Sequence, residues 1–185
     1  MTKKDVKKRN AEQSKARILS AGKKCFAEMG YSQAGIRDIA READVSTTLL
    51  LRYFGSKAGL FEAALIDALK FDNLPEYKRD ELGVRLVEFF QDKNLEIYQP
   101  AIISLSLSHP EARDIISRVV EQYSLQPLAK WLGGTDSQIR ALEIMMLAIS
   151  FVQYTRQLPL TPLTRGADKK LGKWLAESIQ AIVDN

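Results

Sequence analysis

The sequence has few of the residues on which catalytic and metal-binding proteins depend, because its 185 residues include one cysteine and one histidine. The single thiol, Cys25, cannot form an intramolecular disulfide. Cys25 and His109 together are too few to form a His/Cys metal cluster. Cys25 also lies on the predicted buried stripe of the first helix, so a catalytic Cys/His pair of the usual kind is not expected. No glycine-rich phosphate loop occurs. The sequence therefore predicts a protein that is not an enzyme and needs neither a cofactor nor a metal.

Long apolar runs are also missing. The most apolar stretch, residues 145–152, is far shorter than the ~20 residues that span a bilayer. The N-terminus is charged and lacks the apolar run of a signal peptide. We therefore expect a cytoplasmic protein without a membrane segment.

Charge is distributed unevenly along the chain, whose net value is +4. Residues 1–57 contain 13 Lys and Arg against 6 Asp and Glu, a net +7, so the remainder carries −3. Part of this excess comes from the basic residues at positions 3–9, near the N-terminus. On their own these residues are as typical of a solvated tail as of a segment that binds DNA. Attraction to phosphate becomes the better explanation if the same segment holds a DNA-binding motif.

Apolar residues recur with the period of an α-helix through most of the chain, and no strand-like alternation is found. The pattern predicts an all-α fold of about nine helices, with residues 1–10 and the last few residues disordered. The expected helices cover residues 12–29, 36–43, 47–53, 57–71, 81–92, 95–107, 110–132, 136–158 and 165–183.

Two short predicted helices, residues 36–43 and 47–53, have the size and spacing of a helix-turn-helix. Asp44 stands where the tight turn requires a left-handed residue, and Ser46 can cap the following helix. Gly30 is expected to end the first helix, and Ser56 to cap the fourth.

The residues around this pair resemble the DNA-binding signature of the tetracycline-repressor (TetR) family. The likeness rests on GYSQAGIRDIAREADVS at residues 30–46 and LLRYFGSK at residues 50–57, and it extends over residues 16–65. The resemblance implies a homodimeric regulator, with a three-helix head whose third helix enters the major groove and a body that binds a small-molecule effector.

Hydroxyl and cationic side chains of the head are the candidate DNA contacts. Thr47 and Thr48 can meet phosphates or thymine methyls, and Arg52 can read guanine. Tyr53 and Lys57 match the family's phosphate contacts, although a half-buried core aromatic and an ordinary helix-start lysine are the alternatives. The predicted DNA-binding residues are Arg37, Ser46, Thr47, Thr48, Leu49, Arg52, Tyr53 and Lys57.

The chain departs from the family pattern at two places. Ala34 and Gly35 stand where the family usually has a hydroxyl before the second helix, and Leu51 stands where it usually has tyrosine. Two lost hydrogen bonds of ~1 kcal/mol each weaken DNA binding about 30-fold. The basic N-terminus, or thymine-methyl contacts by Leu49 and Leu51, can compensate.

Residues 1–57 are predicted to be the DNA-binding domain, residues 58–71 a linking helix, and residues 72–185 the ligand-binding and dimerisation domain. Aromatic and apolar residues of this body can line an effector pocket, although ordinary core packing explains each of them as well. The candidate pocket residues are Phe89, Tyr98, Ile102, Tyr123, Met146 and Tyr154.

The last two helices are the expected dimer interface, since the helix of residues 136–158 is apolar around most of its circumference. The alternative is a monomer that buries this helix internally. The candidate interface residues are Leu142, Ile149, Leu171, Trp174, Leu175 and Ile179.

The sequence thus favours a repressor that an effector releases from a palindromic operator. The alternatives are a ligand-independent dimeric DNA-binding regulator and, third, a helical adaptor that does not bind DNA. The sequence does not identify the effector or the operator.

Overall fold

The computed structural model describes residues 3–69, 77–158, 160 and 166–185, and within these residues it contains helices and no strands. The all-α prediction is therefore confirmed. The α-helices are α1 (Lys3–Gln33), α2 (Ile36–Glu42), α3 (Thr47–Phe54), α4 (Lys57–Leu69), α5 (Leu82–Gln91), α6 (Gln99–Ser106), α7 (Pro110–Val120), α8 (Gln126–Leu132), α9 (Ser137–Val152) and α10 (Ala167–Asp184). Helices α7 and α8 continue into one another, so nine separate helices result in this part of the chain, as predicted.

The chain forms two compact units. The first unit combines Met1–Leu69 with Ala101–Val119, and the second combines Lys70–Pro100 with Val120–Asn185. Residues 101–119, assigned from the sequence to the body, thus pack with the N-terminal helices. The predicted domain limits concern function and remain a prediction, and the predicted boundary between residues 71 and 72 lies outside the described residues.

The core of the first unit forms between α1 and α4. The predicted stripe of α1 is buried, with Ile18 and Phe26 fully enclosed, and Phe61 and Leu65 of α4 are buried opposite them. Gly30 does not end the helix as predicted but interrupts α1 with φ 68°, and the helix resumes as far as Gln33. A Cβ at this residue would also collide with the backbone carbonyl of Leu105, so glycine is required for close packing as well as for the turn.

The turn between α2 and α3 follows the local sequence signals. Asp44 adopts the left-handed conformation with φ 50°. The Ser46 hydroxyl accepts a hydrogen bond from the Leu49 backbone N–H at 3.1 Å, and the Ser56 hydroxyl accepts one from Gly59 at 3.0 Å. Both predicted caps are therefore confirmed, and α3 is held at a defined angle to α2.

Ser46→Ala is expected to lower the free energy of unfolding of the first unit by about 1 kcal/mol, because the Leu49 N–H loses its acceptor. Urea denaturation followed by circular dichroism measures the change. Thr48→Ala, at an exposed position on the same helix, is the control and should shift the midpoint less. Equal shifts of the two variants would mean that the cap contributes no stability.

The second unit is built around the pair α5 and α10. Gly83 lies so close to α10 that a Cβ would collide with the backbone carbonyl of Ala176. The core here includes Leu82 and Phe90 of α5, Ile144 of α9 and Leu175 of α10. The two helices therefore approach at backbone distance, which fixes α10 on the unit.

Two predicted long helices contain one-turn π segments, Glu121–Leu125 and Gln153–Gln157. Hydrophobic periodicity does not reveal such a turn, because a single extra residue shifts the apolar stripe only slightly. Helix α6 begins at Gln99, later than the predicted residue 95. Arg156 explains this difference, since it donates to the carbonyls of Phe90, Asp92 and Leu95 and stabilises an irregular segment there.

The expectation of a disordered start is wrong for most of residues 1–10, because the backbone of α1 is already helical at Lys3. The alternation of lysine, arginine and small polar residues carries no strong apolar stripe there, so the periodicity did not indicate a helix.

Candidate nucleic-acid interface

Helix α3 presents a polar and cationic face to solvent. Leu50 is fully buried, whereas Ser46, Thr48 and Arg52 are exposed and Thr47 and Leu49 are half-buried. The Ser46 oxygen accepts the cap hydrogen bond, which leaves the hydroxyl proton available to a phosphate. Leu51, at 39% exposure, adds an apolar surface to the same face. The N-terminal half of α3 therefore offers hydroxyl and methyl groups, and Arg52 adds a bidentate donor.

Two cations lie close to the ring of Tyr53. The Lys15 ammonium and the Arg52 guanidinium each lie 5.4 Å from the centroid of its ring. Lys15 belongs to α1 and is exposed, so three side chains from two helices form one basic group. Sequence reasoning missed Lys15, because no local pattern shows that it reaches a ring 38 positions later along the chain.

Lys57, at the first position of α4, reaches back to the end of α1. Its Nζ lies 4.7 Å from the centroid of the Tyr31 ring and donates to the Ser32 carbonyl at 3.3 Å. Burial lowers the pKa of the Lys57 ammonium, and the Glu111 carboxylate partly offsets this by raising it. The half-buried ammonium keeps further N–H donors for a second partner.

Arg37 is exposed on α2. Its neighbour Arg41 pairs with Asp38 at 2.6 Å, and Arg17 of α1 pairs with Asp44 at 3.3 Å. These two pairs cancel part of the positive charge of the first unit. The cationic residues predicted to bind DNA, Arg37, Arg52 and Lys57, also belong to the first unit.

The candidate pocket residues are divided between the two units. Ile102 belongs to the first unit and is fully buried, whereas the other five belong to the second unit. Met146 and Tyr154 are exposed, at 55% and 59%. Tyr123 and Tyr154 lie in the two π segments, and Phe89 and Tyr98 are half-buried.

A groove beside α5 includes Phe89 together with the side chains of ion pairs. Arg85 pairs with Glu88 at 3.0 Å and with Glu81 at 3.4 Å. An effector pocket is mostly apolar, with a few polar groups that fix orientation. Five of the seven residues that line this groove are charged. Its lining residues are Tyr77, Lys78, Glu81, Arg85, Glu88, Phe89 and Asp92.

The candidate interface residues divide into buried and exposed groups. Leu175 and Ile179 have no exposed surface, because they belong to the core of the second unit. Ile149 and Leu171 are half-buried. The exposed members are Leu142 at 47% and Trp174 at 51%.

Helix α9 carries an exposed apolar stripe that extends beyond the predicted set. Ile139, Leu142 and Met146 follow one another at helical spacing on one face, and Tyr154 continues the stripe in the π segment. Helix α10, which packs against α9, exposes Trp174. We refer to Ile139, Leu142, Met146 and Trp174 as the apolar face.

No helix among the described residues is long and apolar enough to cross a membrane. No group of three or more His, Cys, Asp and Glu side chains in the same residues is arranged to hold a metal ion.

Both parts of the chain match families of bacterial regulators. Residues 18–64 match the family described as bacterial regulatory proteins, tetR family, and residues 80–183 match the tetracyclin repressor-like C-terminal domain. The second match alone covers more than half of the chain. The chain therefore belongs to the TetR family and is a DNA-binding transcriptional regulator.

Individual relatives agree with this family. The HTH-type transcriptional regulator HbdR of Aromatoleum sp. (strain CIB) is 43% identical over 58 residues, which are 31% of this chain and only 25% of that protein. A TetR-family regulator from Rhodococcus sp. has a similar fold, with a TM-score of 0.72 at 20% identity over 93% of this chain and 99% of that one. FadR from Bacillus subtilis, solved in complex with stearoyl-CoA, has a TM-score of 0.64 at 19% identity over 91% and 96%.

Proposed function

We propose that this regulator is a homodimeric repressor that holds a palindromic operator through its two α3 helices and is released by a small-molecule effector. The observation that supports the proposal best is the exposed face of α3, where hydroxyl groups lie at the helix N-terminus and Arg52 follows. Free backbone N–H groups at that end attract phosphate oxygens. Such a regulator acts on chromosomal DNA and therefore works in the cytoplasm.

The contacts divide into those that position the duplex and those that read it. Lys57, Arg37 and the group formed by Lys15, Arg52 and Tyr53 supply positive charge for the phosphates. Ser46 supplies a hydroxyl donor. Thr47, Thr48 and Leu49 can present methyl groups to thymine, and Arg52 alternatively reads guanine.

Dimerisation is proposed through the apolar face of α9 and α10. Four large apolar side chains there are each about half exposed, and a second copy of the chain related by a two-fold axis would cover them. Leu175 and Ile179 support α10 from within one chain and do not reach a partner. A two-fold dimer would present its α3 helices about 34–36 Å apart, the spacing of consecutive major grooves.

Effector binding is proposed because residues 80–183 match the tetracyclin repressor-like C-terminal domain. An effector that binds one arrangement of the dimer better than another lowers operator affinity by shifting the population. Linkage requires that operator DNA weaken effector binding by the same factor. The test measures operator affinity with and without each candidate small molecule, and the affinity for that molecule with and without excess operator DNA. An effector must lower both affinities by the same factor. If no ligand changes DNA binding, the ligand-independent regulator is favoured.

The DNA contacts are tested with Lys57→Ala and Thr47→Ala. Operator fragments are first selected from genomic DNA with the wild-type protein, and affinities are then measured by fluorescence anisotropy. Lys57→Ala should weaken binding about tenfold for every sequence and lower the salt slope by about 0.9, because one phosphate contact is lost. Thr47→Ala should instead change which bases are preferred.

Lys130→Ala is the matched control, since Lys130 is an exposed lysine on α8 of the second unit. It should leave both affinity and salt slope nearly unchanged. Equal behaviour of the Lys57 and Lys130 variants would show that the first position of α4 does not face the duplex.

A further inference from the structure

Tyr31 is held at both ends by residues from the α6–α7 region of the same unit. Its backbone N–H donates to the Ser106 hydroxyl at 2.9 Å, and its phenol donates to the Glu111 carboxylate at 2.5 Å. Ser106 is fully buried and Tyr31 is 4% exposed. The two hydrogen bonds therefore fix the backbone position and the direction of the side chain together.

The Tyr31 ring is also packed against aromatic neighbours. Its centroid lies 5.0 Å from that of Phe61, at an interplanar angle of 73°, and 4.7 Å from that of His109. The Lys57 ammonium lies over the ring at 4.7 Å. Because the neighbours prevent the ring from turning, it offers the ammonium a fixed electron-rich surface.

A lysine side chain has four rotatable bonds, and holding it in one conformation on DNA costs conformational entropy. A lysine that is already held in the unbound protein avoids much of that loss when DNA binds. The Tyr31 ring and the Ser32 carbonyl provide this restraint for Lys57, because they contact Nζ from two directions.

We propose that Tyr31 and Glu111 are positioning residues that hold the Lys57 ammonium where a DNA phosphate meets it. The inference rests on the proposed function, since it requires Lys57 to contact phosphate. It assigns a role in DNA affinity to Glu111, a carboxylate on α7, which lies 54 positions after Lys57 in the sequence. Nothing in the local sequence of either residue indicates this connection.

The protonation states agree with this arrangement. Desolvation, and then the hydrogen bond to Glu111, raises the pKa of the Tyr31 phenol. The phenol therefore stays protonated and remains the donor to the carboxylate near neutral pH. Glu111 also raises the pKa of Lys57 against the effect of burial, so its presence favours the charged ammonium that a phosphate needs.

Glu111→Ala separates support of Lys57 from the net charge of the unit, because the two predict opposite signs. Removal of a carboxylate from the basic unit should strengthen DNA binding if only charge matters. If Glu111 positions Lys57 through Tyr31, its removal should weaken binding about threefold and lower the salt slope toward that of Lys57→Ala. The probe is a mixed-sequence 30-base-pair duplex, measured by fluorescence anisotropy between 50 and 200 mM salt.

Asp114→Ala is the matched control, an exposed carboxylate on the same helix. It removes the same charge without touching Tyr31, and it should bind as well as wild type or slightly better. Tyr31→Phe keeps the ring but breaks the hydrogen bond to Glu111, so it should weaken binding about threefold, as Glu111→Ala does, whereas Tyr31→Leu should lose about as much as Lys57→Ala. In a Lys57→Ala background neither Glu111→Ala nor Tyr31→Leu should weaken binding further, a coupling that a merely structural role would not produce.

The outcomes distinguish the two levels of the proposal. If Lys57→Ala weakens binding but Glu111→Ala equals or exceeds Asp114→Ala in affinity, the positioning role is overturned and the phosphate contact stands. Additive losses in the double variants would also overturn it. If Lys57→Ala binds as tightly as wild type, the phosphate contact itself is wrong, and the positioning role falls with it.

Discussion

A chain carrying Leu142→Glu together with Met146→Glu is expected to sediment as a monomer and to bind a two-half-site operator at least about 100-fold more weakly than wild type. Both side chains lie on the apolar face of α9, at 47% and 55% exposure. In a two-fold dimer each would be buried twice, so the double variant introduces four carboxylates that lose their hydration. The apolar face would then remain in water.

The loss of operator affinity follows from the loss of linkage between two heads. In a dimer, binding of the first head places the second at a high effective concentration near its half-site, which raises affinity by roughly 10²–10⁴ without any new contact. A monomer has only the affinity of one head. Sedimentation velocity measures the assembly, and fluorescence anisotropy measures the affinity.

Val84→Glu is the matched control, since Val84 is a 55% exposed apolar residue on α5, outside the apolar face. This variant should remain a dimer and bind normally. A duplex with one half-site adds an internal check. The double variant and the wild-type protein should bind it with the same affinity per head if the first unit is intact. A double variant that still sediments as a dimer would show that the chains associate through another surface.

The helix-turn-helix was predictable because its signals are local. The left-handed Asp44 and the caps of Ser46 and Ser56 each depend on atoms within three or four residues of the chain. Sequence order alone therefore defines the geometry of α2, α3 and the start of α4. Apart from Lys15 of α1, the residues that we propose as DNA contacts lie on these same elements or in the turn between α2 and α3.

The contacts that support Lys57 were not predictable, since they join residues that are distant in sequence. Tyr31 and Glu111 are 80 positions apart, and Lys15 reaches Tyr53 from another helix. Periodicity indicates which face of each helix is buried, but it does not indicate which helix lies opposite. Only the three-dimensional packing of residues 101–119 with the N-terminal helices brings Glu111 to Tyr31.

The same limit applies to the predicted interface, which remains a prediction. The sequence places Leu171, Trp174, Leu175 and Ile179 on one apolar stripe of the last helix. The stripe is wide enough to contact two different surfaces. Close packing of α10 on α5 buries Leu175 and Ile179, whereas Trp174 is exposed to solvent. Hydrophobicity alone does not separate a helix's own core from a surface that a second chain can cover.

Phe61→Ala is expected to destabilise the first unit by about 3–5 kcal/mol, because it removes a fully enclosed aromatic side chain and leaves a cavity. The Phe61 ring makes edge contacts with Phe26 and Tyr31, each with centroids 5.0 Å apart. A domain has only about 5–15 kcal/mol of stability in total, so the variant should populate unfolded heads. DNA binding should fall in proportion.

Hydrogen exchange followed by mass spectrometry resolves where the loss occurs. Peptides containing Phe26 and Leu50 should exchange faster, whereas peptides from Leu82–Gln91 and Ala167–Asp184, in the second unit, should serve as an internal reference and change little. Val84→Ala, at an exposed site, should alter stability by less than about 0.5 kcal/mol. Uniformly faster exchange in both units would contradict the prediction, because it would mean that the two compact units unfold as one and that the head cannot lose its order separately from the helices that carry the apolar face.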